Sequence, residues 1–248
     1  MSKLCIVIPC YNEEKRINLS VFGPFISANP GVDFLFINDG STDKTLHILN
    51  GFAGLHHDRV KVLDLQENSG KAEAVRLGML KAFDFNHQYV AYWDADLATP
   101  ITEIPRFLKI LNEKPDIKFI LGMRIVRLGA NVRRIWYRHY LGRVFATMAS
   151  LILKLHVYDT QCGAKIICRD MIPFVFKDFF VTKWFFDVEI LFRIKNTEIF
   201  KKNHNILYEL PLAEWYDASG SKLGLMDFIR APFELFKIHR HYKNLSNN

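Results

Sequence analysis

Four short apolar runs punctuate the first hundred residues, and each stops at a cluster of polar and turn-forming residues. LCIVI (4–8) runs into PCYNEE, FLFI (34–37) into NDGSTD, Val60 to Leu65 into QENSG, and Tyr89 to Trp93 into DADLATP. Stretches of helical character separate them: Glu13 to Phe25, Asp43 to Phe52, and Lys71 to Phe85. Strands that are apolar on both faces and alternate with helices belong in a parallel sheet covered by helices. The expected fold class is therefore α/β, with a mostly parallel central sheet flanked by helices. In such a sheet the loops that follow the strands share one edge, where open α/β folds bind ligands. The four polar clusters are thus expected to meet.

The rest of the chain is less regular. FILGMR (119–124) reads as a further strand, Arg133 to Lys154 as a long amphipathic helix, and TQCGAKIIC (160–168) as a turn entering a strand. TKWFFDVEILFRIK (182–195) reads as a helix, HNILYELPLAEW (204–215) as extended chain and YDASGSKLG (216–224) as a loop. Asp227 to Tyr242 forms a closing helix with Phe228, Phe233, Leu235 and Phe236. No repeat or linker interrupts the sequence, and 248 residues, 50% of them hydrophobic, suffice for one core. One domain over 1–248 is expected.

Charge is unevenly spread. Residues 1–100 carry 9 Lys and Arg against 12 Asp and Glu, a net of −3, whereas 101–248 carry 24 against 14, a net of +10. A basic second half suits an anionic partner such as a phosphate or an anionic lipid surface. No nucleic-acid recognition module is visible, so nucleic acid is not an expected partner. The cysteines at 5, 10, 162 and 168 lack CxxC spacing and read as reduced and structural, not as a zinc site. The opening apolar stretch is too short for a signal peptide, and Val144 to Leu153 falls short of the roughly 20 residues a membrane span needs. The expected location is cytoplasmic.

Asp94 and Asp96 sit two residues apart at a strand end, so their side chains point the same way, about 7 Å apart. Carboxylates that close repel unless a cation is near. Mg²⁺ or Mn²⁺ bridging to a diphosphate fits, because both ions take carboxylate and phosphate oxygens. In NDGSTDKT, Asp39 can accept the N–H groups of a base or the hydroxyls of a ribose. In NSGK, Gly70 permits close backbone approach, and the helix beginning near Lys71 favours anions. Arg124, Arg127, Arg133, Arg134, Arg138 and Arg143 offer forked donors suited to phosphate. Asp187 and Glu189, after Trp184, are carboxylates placed for proton transfer or for a substrate hydroxyl.

Taken in order, VIPCYNEE, FINDGSTDKT, NSGKAEAVRLGML, WDADLATP, GMR, WYR, DTQCGAKII, WFFDVEILFRI, ELPLAEW and SGSKL resemble family 2 glycosyltransferases of the GT-A fold. Within that family they are similar to the enzymes that glycosylate dolichyl and other polyprenyl phosphates. The resemblance implies a nucleotide-binding half over 1–100 and an acceptor-binding half over 101–248. It implies that Pro9, Tyr11, Glu13, Asp39 and Lys71 hold a sugar nucleotide, with a UDP-linked one favoured, and that Asp94 and Asp96 are the DXD pair on Mg²⁺ or Mn²⁺. Ser221 and Lys222 would close over the diphosphate. Arg124 with Arg134 or Arg138 would face the acceptor phosphate, and Asp187 would touch a sugar or serve as base. The implied reaction is inverting transfer of a hexose, with glucose favoured, to a polyprenyl phosphate. A saccharide acceptor in cell-surface polysaccharide synthesis is the alternative. Peripheral contact with the inner face of a membrane would bring the lipid, with self-association left open.

The sequence also departs from the pattern. Related mannosyl enzymes often place a glutamine metal ligand where Ala98 stands, and DDGS is here NDGS, with Asn38 replacing a carboxylate. Eukaryotic members carry an N-terminal membrane anchor, whereas here the first strand-like run opens the sequence. Three rival readings fit less well. A haloacid-dehalogenase-type phosphatase wants Thr or Val at the position of Ala98, a sugar-nucleotide pyrophosphorylase wants a glycine-rich loop after the first strand, and a non-catalytic binding module would bind nucleotide without turnover.

Overall fold

A computed structural model describes residues 3–133, 136–217 and 225–245, without the side chains of 136–139, 225–229 and 244–245. The strands are β1 (Leu4–Cys10), β2 (Val32–Asp39), β3 (Val60–Leu65), β4 (Tyr89–Trp93), β5 (Phe119–Met123), β6 (Asn131–Arg133), β7 (Ala164–Cys168), β8 (Leu207–Pro211) and β9 (Glu214–Tyr216). The helices are α1 (Phe22–Ala28), α2 (Thr45–Leu55), α3 (Lys71–Phe83), α4 (Ile104–Glu113), α5 (Trp136–Leu153), α6 (Ile172–Phe176), α7 (Phe186–Lys195), α8 (Glu198–Lys202) and α9 (Leu225–Leu245). Seven strands form one sheet in the order β3-β2-β1-β4-β7-β5-β8. Neighbouring strands run parallel except at β7, which is antiparallel to both β4 and β5. β6 and β9 pair separately as a small parallel ribbon.

The apolar runs become the buried centre of this sheet. Every residue of β4 is buried, and Leu4 to Ile8 of β1 are at most 1% exposed. β1 pairs with β2 on one side and β4 on the other, so the chain order reverses there and a crevice opens beyond their carboxyl ends. The helix α3 lies close over β1 and β2: a Cβ on Gly78 would stand 2.4 Å from Val7 Cγ1 and 2.9 Å from Ile37 Cγ1. Gly78→Val is therefore expected to lower stability by about 1–3 kcal/mol through overpacking, measured by urea denaturation. The four cysteines are free and buried, and burial pushes the Cys162 and Cys168 thiols up to about 11.

Two expected helices start late. The sequence predicts helix from Glu13, but helix begins only at Phe22, after a short 3₁₀ turn at Leu19–Val21. Asp43 and Thr45, just before and at the start of α2, tie this stretch down as a loop against α2. Glu13 N–H donates to Thr45 Oγ1 (2.8 Å) and Glu14 N–H to Asp43 Oδ2 (3.1 Å). The helix read from 182 begins at Phe186, because Glu189 accepts the N–H groups of Val181 and Thr182, each at 2.8 Å, and holds them in a loop. Glu189, also reached by the hydroxyls of Thr182 and Tyr242, is thereby a structural carboxylate. Neither α4 nor the β6–β9 ribbon is evident from sequence. The former buries Ile104, Phe107 and Leu111, and the latter splits the extended segment 204–215 into two strands at Leu212.

Candidate active site

The carboxyl ends of β1, β2 and β4 and the start of α3 surround a cleft of about 340 Å³. Pro9, Tyr11, Glu13, Asp39, Lys71, Asp94 and Asp96 all line it, together with Arg16, Asn68 and Trp184. The structure thus brings together the expected nucleotide-sugar and metal residues of the first half. The loops are tied to one another. Asn12, at φ 52°, accepts the Thr42 N–H at 2.9 Å, and Ser41 Oγ accepts the Asn12 N–H at 3.1 Å.

Asp39 has a structural task that sequence did not reveal. Its Oδ1 accepts Ser69 N–H (2.8 Å) and the Ser69 hydroxyl (2.6 Å), and its Oδ2 accepts Gly70 N–H (2.9 Å). The carboxylate therefore builds the 68–70 loop that carries Lys71 into the cleft. Gly40, at φ 61°, is needed beside it, since a Cβ there would meet Asn68 N at 2.4 Å. The departure at Asn38 is also explained. Asn38 Nδ2 donates to Asp64 Oδ1 at 2.7 Å on the adjoining strand, where an aspartate would face a like charge.

Asp94 Oδ1 pairs with Lys71 Nζ at 2.5 Å, and Asp96 Oδ2 lies 3.7 Å from Arg16. The turn between the two aspartates and the rest of the loop is sharp: Leu97 has φ 52°, and Ala98 N–H donates back to Asp96 Oδ1 at 3.0 Å. Trp93 Nε1–H anchors the loop on the Thr99 carbonyl at 2.7 Å. Burial, then the neighbouring Asp94, raises the Asp96 carboxyl above the usual range, outweighing Ala98, Lys71 and Arg16. Burial alone would depress the Lys71 ammonium, but Asp94, Asp187 and Asp96 together raise it. Among the described residues no group of three or more His, Cys, Asp or Glu is arranged around a common point. The cleft lining nonetheless sets Glu13, Asp39, Asp94 and Asp96 against only Arg16 and Lys71, and two carboxylates with room for diphosphate oxygens match a hard divalent cation.

Asp187 lies behind this wall, 5% exposed, and does not line the cleft. The Tyr92 hydroxyl donates to its Oδ1, and Lys165 Nζ pairs with the same oxygen at 2.8 Å. Lys165 stands opposite Tyr92 in the β4–β7 register, has no exposed side-chain surface, and also donates to the Cys162 carbonyl at 2.5 Å. Among the described residues Asp187 Oδ2 accepts no hydrogen bond. Burial, followed by the charge of Asp187, holds the Tyr92 phenol well above its ordinary value, so it remains a donor.

Arg124, expected to face an acceptor phosphate, is clamped by Asp159 through Nε (2.7 Å) and Nη2 (2.8 Å), and stands outside the cleft lining. Burial works against its charge, but Asp159 more than compensates and raises it. Glu209 holds Asp159 in turn by accepting its N–H at 2.8 Å. Arg134, Ser221 and Lys222 fall outside the described residues, as does the side chain of Arg138 in the first turn of α5. Sequence reading missed the roles of Arg16, Tyr92, Asp159, Gly163, Lys165 and Trp184. Of these, Lys165 alone had a signal, being a lysine within the otherwise apolar strand AKIIC.

A seven-stranded, mostly parallel sheet with one reversed strand, opening on a cleft with a DXD pair, has the architecture of the GT-A fold. The chain belongs to glycosyl transferase family 2, whose model matches residues 5–176. It is 30% identical over 239 residues to the dolichyl-phosphate beta-glucosyltransferase of Drosophila melanogaster, covering 89% of this chain and 69% of that one. It is 29% identical over 259 residues to the enzyme of the same name from Saccharomyces cerevisiae, covering 96% and 75%. The crystal structure of glucosyl-3-phosphoglycerate synthase from Mycobacterium tuberculosis, in complex with Mn²⁺, UDP-glucose and phosphoglyceric acid, matches with a TM-score of 0.68. That match covers 97% of this chain and 79% of the other at 15% identity, a likeness of fold.

Proposed function

We propose that the protein transfers a hexose, glucose, from a UDP-sugar to a polyprenyl phosphate with inversion at the anomeric carbon. The observation that carries this reading is the meeting of Pro9, Tyr11, Glu13, Lys71, Asp94 and Asp96 around one cleft at the crevice of the sheet. The named relatives support the acceptor, and the Mn²⁺ and UDP-glucose of the M. tuberculosis structure support donor and metal.

Tyr11 and Pro9 flank the nucleoside, while Asp39 shapes the loop that places Lys71 beside the diphosphate. Asp94 and Asp96 would hold Mg²⁺ or Mn²⁺, which supplies Lewis-acid stabilisation of the leaving diphosphate. Lys71 and Arg16 add positive charge on the same side. An acceptor phosphate oxygen forms its bond to the anomeric carbon from the opposite face, and the electron pair of the broken bond goes to the diphosphate.

The pairing of Asp187 favours an acceptor that arrives as an anion. Were Asp187 to take a proton from a sugar hydroxyl, the wholly buried Lys165 would lose its carboxylate, a costly arrangement. A phosphate needs no such base. Asp187 then serves as a fixed charge next to Lys71.

Thermal unfolding with UDP, GDP and their glucose and mannose conjugates, with and without Mn²⁺, tests the donor. UDP at 100 times its dissociation constant adds about 2.7 kcal/mol, a visible shift. The metal-dependent part is expected to vanish in Asp96→Asn, and an unchanged Mn²⁺ requirement in that variant would remove the metal assignment.

A further inference from the structure

The helix α9 buries one complete stripe, Ala231, Leu235, Ile238 and Tyr242, at the i, i+4, i+7, i+11 spacing of a helix seated on a core. Its opposite side still exposes Phe233 (75%) and Phe236 (64%), beside exposed Arg230, Lys237, Arg240 and Lys243. The one acidic residue between Arg230 and Lys243, Glu234, is half-buried at the edge. The long helix α5 packs alongside α9 and repeats the arrangement. It buries Phe145, Ala149 and Leu153, exposes Tyr140, Val144 and Leu151, and contains no Asp or Glu. The inner face of α5 packs against the wall of the cleft: buried Phe145 stacks on Phe185 at 4.9 Å, and the preceding residue, Trp184, lines the cleft.

We propose that the outward faces of α5 and α9 are a docking surface for an anionic lipid bilayer, from which the acceptor reaches the cleft past Trp184. The proposal rests on the polyprenyl-phosphate reading above and adds the surface and the partner to it. Phenylalanines with interleaved cations and, among the described side chains, no exposed carboxylate are the composition of a helix lying in a lipid interface, with rings among acyl chains and cations at headgroups. A second copy of the chain fits less well, since a two-fold contact would set one cationic patch, with Lys237 and Arg240, against another of the same sign. Among the described residues no helix is long and apolar enough to cross a membrane, so any contact through this face lies in the interface plane.

Flotation with vesicles of phosphatidylglycerol and phosphatidylcholine, compared with phosphatidylcholine alone, tests this. The protein is expected to float with the anionic vesicles and to be released by salt. The double variant Phe233→Ser/Phe236→Ser is expected to partition about 100-fold more weakly. An unchanged melting temperature and full transfer to a water-soluble short-chain isoprenyl phosphate would show its fold and cleft intact. No flotation of the unaltered protein, equal flotation with neutral vesicles, or unchanged flotation of the double variant would overturn the proposal. So would a concentration-dependent dimer that the double variant abolishes, which would assign the face to a second copy. Flotation needs no turnover, so a protein that floats but transfers no sugar retains this surface and loses the acceptor reading instead.

Discussion

Gly163→Ala is expected to reduce kcat by about 100-fold or more while the protein stays folded. A Cβ at this position would lie 1.8 Å from Asp94 Oδ2 and 2.1 Å from Asp94 Cγ, far inside contact distance. The backbone cannot yield easily, because the Gly163 carbonyl accepts the Asp94 N–H at 2.9 Å and continues the β4–β7 pairing. Asp94 has a short side chain, so it must rotate away and surrender its contact with Lys71. Displacement of a catalytic group by an ångström typically costs on the order of 100-fold. Steady-state kinetics with the UDP-sugar, beside circular dichroism of the same sample, reads both effects. Activity within a few-fold of the unaltered protein would show that Asp94 need not stand where Gly163 allows it.

The second large effect is expected at Lys165. Replacing it with Met leaves Asp187 in a buried site with the Tyr92 hydroxyl but without its ammonium partner, and breaking one side of a buried ion pair costs about 3–5 kcal/mol. Urea denaturation is the measurement. Lys165→Met/Asp187→Leu, which replaces the whole pair by apolar groups, is expected to recover most of that loss while remaining inactive. Recovery of activity with stability would reduce the pair to packing. A stability loss below about 1 kcal/mol in Lys165→Met would mean that water reaches the ammonium and that its pairing is of the weak surface kind.

Much of the fold was legible because its signals are local. Apolar runs of strand length ending at Pro9, Asn38 and Asp94 fixed β1, β2 and β4, and their common polarity implied that PCYNEE, NDGSTD and DADLATP would converge. What stayed hidden depends on partners distant in sequence. Nothing near Glu13 announces that Thr45 will take its N–H and Asp43 that of Glu14, 32 and 29 residues away in the chain, and hold the stretch as a loop. Nothing near Arg124 announces Asp159, whose carboxylate accepts from its Nε and Nη2. Lys165 could be noticed as a charge in an apolar strand, but its reason, Asp187 on another element, emerges only when β7 slots between β4 and β5. Asn38 shows the opposite case. It reads as a lost carboxylate until Asp64 is seen beside it, keeping one negative charge at that corner.

The most direct test of the account is transfer itself. The protein is incubated with UDP-glucose labelled in the sugar, Mn²⁺ and a polyprenyl phosphate in detergent or vesicles, with free saccharides as parallel acceptors. The organic-soluble product is then identified by mass. The account predicts a glucosyl polyprenyl phosphate that forms only with metal, at a rate well above that with GDP-mannose, and no label on the saccharides. Label moving to a saccharide while the polyprenyl phosphate stays unmodified would contradict it. That result would return Asp187 to the role of a base despite its pairing with Lys165.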